Sequence, residues 1–134
     1  MTKTEVPRQY TFSKQERLTG KKNIEELFKK SSSFHLYPLL FKFIPTDEQH
    51  TKVLISVPKK NHKRAVDRNL LKRRIREAYR LNKHILTDSS SQGLFLGLIY
   101  TSKEILDYKY IETKLISGMN RLVNFKSLVD EEKA

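Results

Sequence analysis

Cysteine is absent from this 134-residue chain, and glycine and proline occur only four times each. The lack of cysteine excludes a disulfide scaffold, thiolate zinc sites and thiol catalysis. No apolar run approaches the roughly 18 residues of a membrane span, and residues 1–10 contain no apolar stretch of the kind that a secretory signal needs. We therefore predict a soluble cytoplasmic protein. Its length fits a single domain that holds a hydrophobic core without help from a metal or a disulfide.

The chain also lacks the residue patterns of common catalytic sites. It contains no H-E-x-x-H motif, no Ser-His-Asp set and no glycine-rich phosphate loop. Two pairs of adjacent acids, Glu25-Glu26 and Asp47-Glu48, are typical of solvated helix and turn surfaces. The histidines are scattered without the spacing of metal ligands: His35, His50, His62 and His84. We predict that the protein itself carries no catalytic residue and no metal site.

Positive charge is concentrated in one segment. The whole chain has a formal charge of +12. Residues 59–83 hold eleven basic side chains against Asp67 and Glu77, a net charge of +9, which leaves +3 for the rest of the chain. A field of this strength predicts a polyanionic partner, either a nucleic acid or an anionic membrane surface.

Apolar periodicity predicts an α+β fold in which helices pack on one sheet. Residues 24–28 show helical spacing, and the aromatic stretch 34–45 predicts one bent strand or two short strands broken at Pro38. Residues 52–58 carry apolar side chains on both faces and predict a central strand. Residues 94–100 form a further apolar run of strand length.

The last predicted element is a helix that follows Asp107, a suitable N-cap residue. Gly118 weakens the helical pattern slightly. The apolar residues that recur at helical spacing are Ile111, Leu115, Met119, Leu122 and Val123. We expect one domain over residues 17–125, between a flexible N-terminal segment, 1–16, and a flexible tail, 126–134.

The basic segment predicts an amphipathic helix with two distinct arcs. One arc is apolar, although Asp67 and Arg74 interrupt it and would pair with each other or extend outward. The opposite arc contains no acid, and its arginines, whose forks suit phosphate, outnumber its lysines. Its anion-binding candidates are Arg64, Arg68, Asn69, Lys72, Arg73, Arg76 and Arg80. Replacing Arg68 or Arg73 by alanine is expected to leave the fold intact, because both lie off the apolar arc.

A family resemblance is carried by the same residues. Residues 68–76 spell R-N-x-x-K-R-x-x-R and follow a basic strand exit, 56–60. This combination resembles the RNR helix of the bacterial ribonuclease P protein component, and the resemblance covers most of the chain. Two departures are visible. The segment 61–64 replaces a common glycine and is one residue longer, and Ile24 and Lys42 stand where the family often has aromatic side chains.

The resemblance implies a two-layer α/β sandwich with the element order αβββαβα, similar to a ribosomal-protein domain, with a left-handed crossover around the basic helix. It also implies a holoenzyme in which a large RNA uses Mg²⁺ to remove the 5′ leader of precursor tRNA. The protein would then be an accessory subunit of this endoribonuclease, with one copy per RNA, and would bind no cofactor by itself.

Two RNA surfaces follow from this resemblance. The basic helix would bind the backbone of the catalytic RNA. A cleft between the first helix and the open face of the sheet would hold the leader as a single strand by stacking and charge. Its leader-binding candidates are Phe28, Lys42, Ser56, Lys59 and Lys60. Core packing is an equally good interpretation of Phe28, and we expect core positions for Tyr37, Phe41 and Phe43.

Three other classes of protein fit the same charge pattern. A non-catalytic ribosomal or RNA-assembly protein would bind structured RNA through the same helix. A DNA-binding helix-turn-helix protein is disfavoured because strands, not a second helix, flank the basic helix. A membrane-surface protein is disfavoured because the apolar arc of the helix is needed for the core.

Overall fold

The computed structural model describes residues 16–46, 50–87 and 93–133. They form the elements α1 (Lys21–Lys30), β1 (Ser32–Leu36), β2 (Leu39–Pro45), β3 (Lys52–Ser56), α2 (Ala65–Asn82), α3 (His84–Thr87), β4 (Leu94–Tyr100) and α4 (Tyr108–Lys133). The predicted order αβββαβα is confirmed, and within these ranges the short α3 is the one addition to it. The predicted flexible segment 1–16 lies outside the described residues except for Glu16, and α4 extends into the predicted tail. The flexibility of both ends stays a prediction.

The described strands form one mixed sheet in the order β1-β2-β4-β3. The pairs β1–β2 and β2–β4 are antiparallel, and β3–β4 is parallel. The parallel pair is connected through α2, and the handedness of this crossover stays a prediction. In the described part of the chain, no helix is both long and apolar enough to cross a membrane.

The prediction that residues 52–58 form a central strand is wrong, because β3 lies at an edge of the sheet. Both faces of this edge strand are nevertheless covered: Val53 joins the core beneath α2, and Leu54 packs with residues of α1. Its outer edge is also partly paired, because the Leu18 N–H donates to the Val53 carbonyl oxygen at 2.9 Å. An edge strand covered in this way has the same residue pattern as a central strand.

Helices α2 and α4 pack on one face of the sheet and enclose the main core. Its fully buried side chains include Phe41 from β2, Ile75 from α2 and Leu115 from α4. The predicted apolar positions of the last helix are buried or half-buried. The predicted cap is also confirmed, because the Tyr110 N–H donates to Asp107 Oδ1 at 2.8 Å.

Helix α1 packs on the opposite face of the sheet. Gly97 lies between Leu96 and Leu98, which face the main core, so strand alternation turns Gly97 toward α1. A Cβ atom on Gly97 would lie 3.1 Å from Cδ2 of the buried Leu27, so glycine lets α1 approach the sheet closely. Farther along this face, Ile99 is only half-buried. This uncovered part of the sheet is the open face that the resemblance implies.

Two of the three aromatic side chains predicted for the core are buried there, Phe41 and Phe43. The prediction for Tyr37 is wrong, because this side chain is 46% exposed. Tyr37 lies in the turn between β1 and β2. Because side chains alternate along β1, Phe34 faces the main core and His35 faces away from it. The ring of Tyr37 contacts the ring of His35 and therefore also lies away from the core.

Candidate nucleic-acid interface

The basic helix α2 is amphipathic as predicted. Leu71, Ile75 and Ala78 are fully buried in the main core. Leu81 belongs to the same arc by helical periodicity, yet this residue of the last turn is exposed. The side chains of the predicted anion-binding arc are exposed at Arg64, Asn69, Arg73 and Arg76 and half-buried at Arg68, Lys72 and Arg80.

Seven cations in and before α2 have no ion-pair or hydrogen-bond partner in residues 16–46, 50–87 and 93–133. They are Lys59, Lys60, Lys63, Arg64, Lys72, Arg73 and Arg76. Because no described acid neutralises these charges, they add to form a strongly positive surface. Clustered like charges repel one another, and a bound polyanion would relieve that repulsion.

Arg80, at the C-terminal end of the same arc, has an acidic partner. It forms an ion pair with Glu77, and its Nε donates to Glu77 Oε2 at 3.2 Å. Hydrogen bonding from Arg80 lowers the pKa of the Glu77 carboxyl group. The sequence predicts that the basic arc contains no acid. That prediction is wrong at this end, because Glu77 lies three residues before Arg80 and residues three apart on a helix are neighbours.

Two further cations of the segment are used inside the protein. Arg74 donates from Nη1 to the Leu106 carbonyl oxygen, and does not pair with Asp67. Lys83 donates from Nζ to both carboxylate oxygens of Glu16 at 2.8 Å. Arg74 thus ties the middle of α2, and Lys83 its C-terminal end, to neighbouring segments, and both leave the outward charge to the unpaired cations.

Arg68 is bonded to the turn that precedes α2. Its Nη1 donates to the carbonyl oxygens of His62 and Lys63 at 2.9 and 2.8 Å. The N-cap residue Arg64 makes no side-chain cap hydrogen bond, so Arg68 secures this turn from within the helix. These bonds are contrary to the expectation that Arg68 is dispensable for the fold. Its remaining guanidinium nitrogens are available to a phosphate.

The segment 61–64, where the sequence departs from the family pattern, is held by the loop after β4. Asn61 donates from Nδ2 to the Thr101 carbonyl oxygen at 3.4 Å. The buried His62 donates from Nε2 to the Ser102 carbonyl oxygen at 2.7 Å. No local pattern indicates this role of His62, because its partner lies 40 residues farther along the chain.

Phe28 and Lys42 meet at the rim of the open face. The Lys42 Nζ atom lies 5.5 Å from the centroid of the Phe28 ring. Helix α1 buries Leu27, and the ring of Phe28 is 44% exposed. The interpretation of Phe28 as a core residue is therefore wrong. An exposed ring beside a cation is a combination that binds unpaired bases.

Strand register brings Ser56 to the same face as Lys42. Lys42 pairs with Gly97 on β4, and Ser56 pairs with Ile99, two residues farther along that strand. Residues two apart on a strand point to one face, so Ser56 lies on the open face. Lys59 and Lys60 are exposed in the turn that follows β3. Phe28, Lys42 and Ser56 thus lie on one face of the sheet, and Lys59 and Lys60 follow the end of β3.

The two surfaces offer cations, an aromatic ring and a hydroxyl group. Among the described residues, no group of three or more acidic or histidine side chains is placed to hold a metal ion. The chemistry that this arrangement supports is the binding of a phosphate backbone and of unpaired bases.

The sequence matches the family model described as ribonuclease P over residues 12–123. Proteins named ribonuclease P protein component, from two strains of Porphyromonas gingivalis, are 34% identical to this chain over 122 residues. Each match covers 87% of this chain and 89% of the relative.

Solved structures share the fold. The RNase P protein from Thermotoga maritima matches with a TM-score of 0.67 and 26% identity, over 79% of this chain and 96% of that one. The RNase P protein from Staphylococcus aureus matches with a TM-score of 0.60 and 24% identity, over 75% of this chain and 88% of that one. Because the family model spans most of the chain and the relatives match nearly their full length, the chain belongs to the ribonuclease P protein family.

Proposed function

We propose that this chain, as the protein subunit of a ribonuclease P, binds the catalytic RNA through α2 and the 5′ leader of precursor tRNA on the open face beside α1. The observation that carries this proposal is the separation of two surfaces with different chemistry. Unpaired cations lie on α2, which packs on one face of the sheet, and the Phe28–Lys42 pair lies on the other. One copy of the protein per RNA would then hold the substrate against the catalyst and promote formation of the mature 5′ end.

The α2 surface suits the backbone of a folded RNA. Arg73 and Arg76 are exposed and unpaired among the described residues, and each presents a planar fork that binds phosphate through two hydrogen bonds. Asn69 adds a donor and an acceptor for a 2′-hydroxyl group. Contacts of this kind recognise the shape of an RNA and not its base sequence.

The open face suits a single strand. A base stacked on the exposed ring of Phe28 would gain about 1 to 3 kcal/mol, whatever its identity. Lys42 beside the ring, and Lys59 and Lys60 at the end of β3, would neutralise the phosphates of the same strand. A leader of any sequence would therefore bind, and a mature tRNA, which has none, would not use this surface.

The cleavage step in this proposal belongs to the RNA. Mg²⁺ would be bound mainly by that RNA, and the protein would supply positioning and charge. Glu25→Gln and Glu26→Gln test this assignment, because they remove the paired carboxylates of α1. Both variants should cleave at the wild-type rate when protein and Mg²⁺ are saturating. Loss of the chemical step with normal assembly would transfer catalysis to the protein.

Reconstitution tests the function as a whole. The protein, the ribonuclease P RNA of its own organism and a precursor tRNA are combined at low Mg²⁺ concentration, and release of the leader is followed. Cleavage that requires both RNA and protein is the expected result. RNA binding without any effect on cleavage would favour the alternative of a ribosomal or RNA-assembly protein.

A further inference from the structure

The turn between β1 and β2 presents an aromatic ring that the two surfaces above do not use. Tyr37 is as exposed as Phe28, 46% against 44%. His35, two residues earlier on β1, pairs with Leu40, and Ser33 pairs with Lys42. This register places His35 on the face that carries Lys42. The ring of Tyr37 contacts the ring of His35, so both aromatic side chains border the open face.

The exposed ring of Tyr37 is held at two points. Its hydroxyl group is hydrogen-bonded to Oγ of the buried Ser102 at 2.6 Å. The ring of His35 meets it edge-on, with 6.5 Å between the ring centroids and 90° between the planes. The His35 ring is itself held by Thr101. The Thr101 hydroxyl group donates its proton to the Pro38 carbonyl oxygen, so it accepts a hydrogen bond from His35 Nε2, at 2.8 Å. Binding to a fixed ring costs little conformational entropy.

The floor of the open face near Tyr37 is formed by neighbouring strands. One row of paired residues crosses the sheet there, from His35 through Leu40 and Ile99 to Ser56. Leu40 and Ile99 are half-buried and form an apolar floor.

Cations lie beside the Tyr37 end of this floor. The Asn61 side chain donates to the Thr101 carbonyl oxygen, which brings the turn carrying the exposed Lys59 and Lys60 to this end of the sheet. An aromatic ring next to such cations is the combination with which proteins hold single strands.

We propose that Tyr37, supported by His35, is a second stacking platform for the leader, at the opposite end of the open face from Phe28. This inference rests on the proposed function of that face. Tyr37 lies four residues beyond Ser33, which pairs with Lys42. At about 3.3 Å per strand residue, about 13 Å of chain separates Tyr37 from Ser33, the partner of the Lys42 beside Phe28, so the two rings would hold different nucleotides of one leader.

Leader length provides the test. Holoenzyme is titrated with precursor tRNAs whose leaders are shortened one nucleotide at a time, and with mature tRNA. Affinity should increase in two steps as the leader reaches first one ring and then the other. Phe28→Ala should abolish one step and Tyr37→Ala the other. For the longest leader, Tyr37→Ala should raise Kd by about 5- to 150-fold, with mature tRNA unaffected.

Matched variants separate stacking from folding. Tyr37→Phe retains the ring and should bind within about twofold of wild type, whereas Tyr37→Leu lacks the ring and should lose the same step as Tyr37→Ala. Tyr110→Ala is the control, because Tyr110 has a similar exposure, 42%, but lies on α4. Its affinity for every leader should equal that of wild type.

Three results would overturn the proposal. In the first, Tyr37→Ala and Tyr37→Leu retain both increases in affinity with leader length, whereas Phe28→Ala loses one. Tyr37 would then not bind the leader, and the proposed function of the open face would be unaffected. Equal weakening of precursor and mature tRNA would assign Tyr37 to the turn alone. A wild-type holoenzyme whose affinity does not depend on the leader would refute the proposed function of the open face, and this inference with it.

Discussion

The ring of Phe41 on β2 fills the space beside Gly118 on α4. A Cβ atom on Gly118 would overlap three atoms of that ring. The ring has little room to move, because Phe41 is fully buried and stacks on Phe34 with 4.8 Å between the ring centroids. The glycine that weakens the helical pattern of α4 in the sequence is therefore the residue that lets α4 approach the sheet.

Gly118→Ala should destabilise the protein. Alanine favours a helix by about 1 kcal/mol relative to glycine, but extra atoms in a packed core cost about 1 to 3 kcal/mol or more. The new methyl group is fixed to the backbone and meets a buried ring, so the free energy of unfolding in urea should fall by about 2 kcal/mol. Gly97→Ala is the matched control and should lose less, because the one tight contact of its Cβ is with the end of the Leu27 side chain, at 3.1 Å. A more stable Gly118→Ala protein would contradict this packing.

Alkaline pH should destabilise the protein through Tyr79. Burial raises the pKa of this hydroxyl group, and the charge of Glu16 raises it further. The unfolded chain therefore loses this proton at about pH 10, before the folded chain does. The stabilising contribution is complete below about pH 10 and decreases as the pH rises above that value.

Urea unfolding midpoints measured up to about pH 11 should decrease more steeply for the wild type than for Tyr79→Phe. A single proton changes the free energy of unfolding by up to about 1.4 kcal/mol per pH unit. Tyr110→Phe is the control, since Tyr110 is exposed, and its profile should follow that of the wild type. Identical profiles for wild type and Tyr79→Phe would show that the Tyr79 hydroxyl group is not buried as described.

The α2 surface could be predicted from the sequence because its determinants are local. Helical periodicity separates Ile75 from Arg73 and Arg76, and the charge balance of the same window gives the sign of the surface. The errors come from tertiary contacts. Tyr79 lies within the polar arc by periodicity, yet it is buried, because the segment that carries Glu16 packs at this end of α2.

The open face could be predicted only from the family resemblance, because it depends on pairing between distant strands. Lys42 and Ser56 share a face since β2 and β3 both pair with β4, a relation that no local pattern contains. The wrong prediction for Tyr37 has the same origin. Its aromatic neighbours Phe41 and Phe43 are buried, and only the contact of its ring with His35, which the register of β1 places on the other face, shows where Tyr37 lies.

Glu16→Gln should destabilise the protein by about 2 to 3 kcal/mol, measured by urea denaturation. The carboxylate of Glu16 accepts two hydrogen bonds from Lys83, whose side chain is only 8% exposed. The substitution removes the negative charge that faces this nearly buried ammonium group. The effect is placed below the range of about 3 to 5 kcal/mol for fully buried pairs because the Glu16 side chain is 20% exposed.

The double variant Glu16→Gln with Lys83→Met separates charge from packing. It should be more stable than Glu16→Gln alone, because the buried ammonium group is then removed together with the carboxylate that faces it. If Glu16→Gln were as stable as the wild type, the ion pair would not fix the N-terminal end of the domain to α2.

Phe28→Ala should weaken binding of precursor tRNA to the holoenzyme by about 1 to 3 kcal/mol and leave binding of mature tRNA unchanged, since only the precursor has a leader to stack. The melting temperature should change little, because the ring is exposed. Phe28→Tyr retains a ring and should bind both tRNAs like the wild type. Equal weakening of both tRNAs, or a large loss of thermal stability, would return Phe28 to a structural role.

Arg73→Ala and Arg68→Ala should separate RNA binding from stability. Arg73 is exposed and has no partner among the described residues, so its removal should leave the melting temperature unchanged or slightly higher. Its loss should weaken binding to the catalytic RNA. The slope of log affinity against log salt should become shallower by about 0.7 to 0.9, because one phosphate contact is lost.

Arg68→Ala should lower RNA affinity and also the free energy of unfolding, because the carbonyl oxygens of His62 and Lys63 lose a charged donor. Hydrogen bonds to charged groups contribute about 1.5 to 3 kcal/mol, and partial exposure places this loss at about 1 to 2 kcal/mol. Arg68→Lys keeps the charge but not the fork, so it should retain the wild-type salt slope while remaining less stable. If Arg68→Ala and Arg73→Ala lost RNA affinity equally with no difference in stability, the contacts of Arg68 with the turn before α2 would not contribute to the fold.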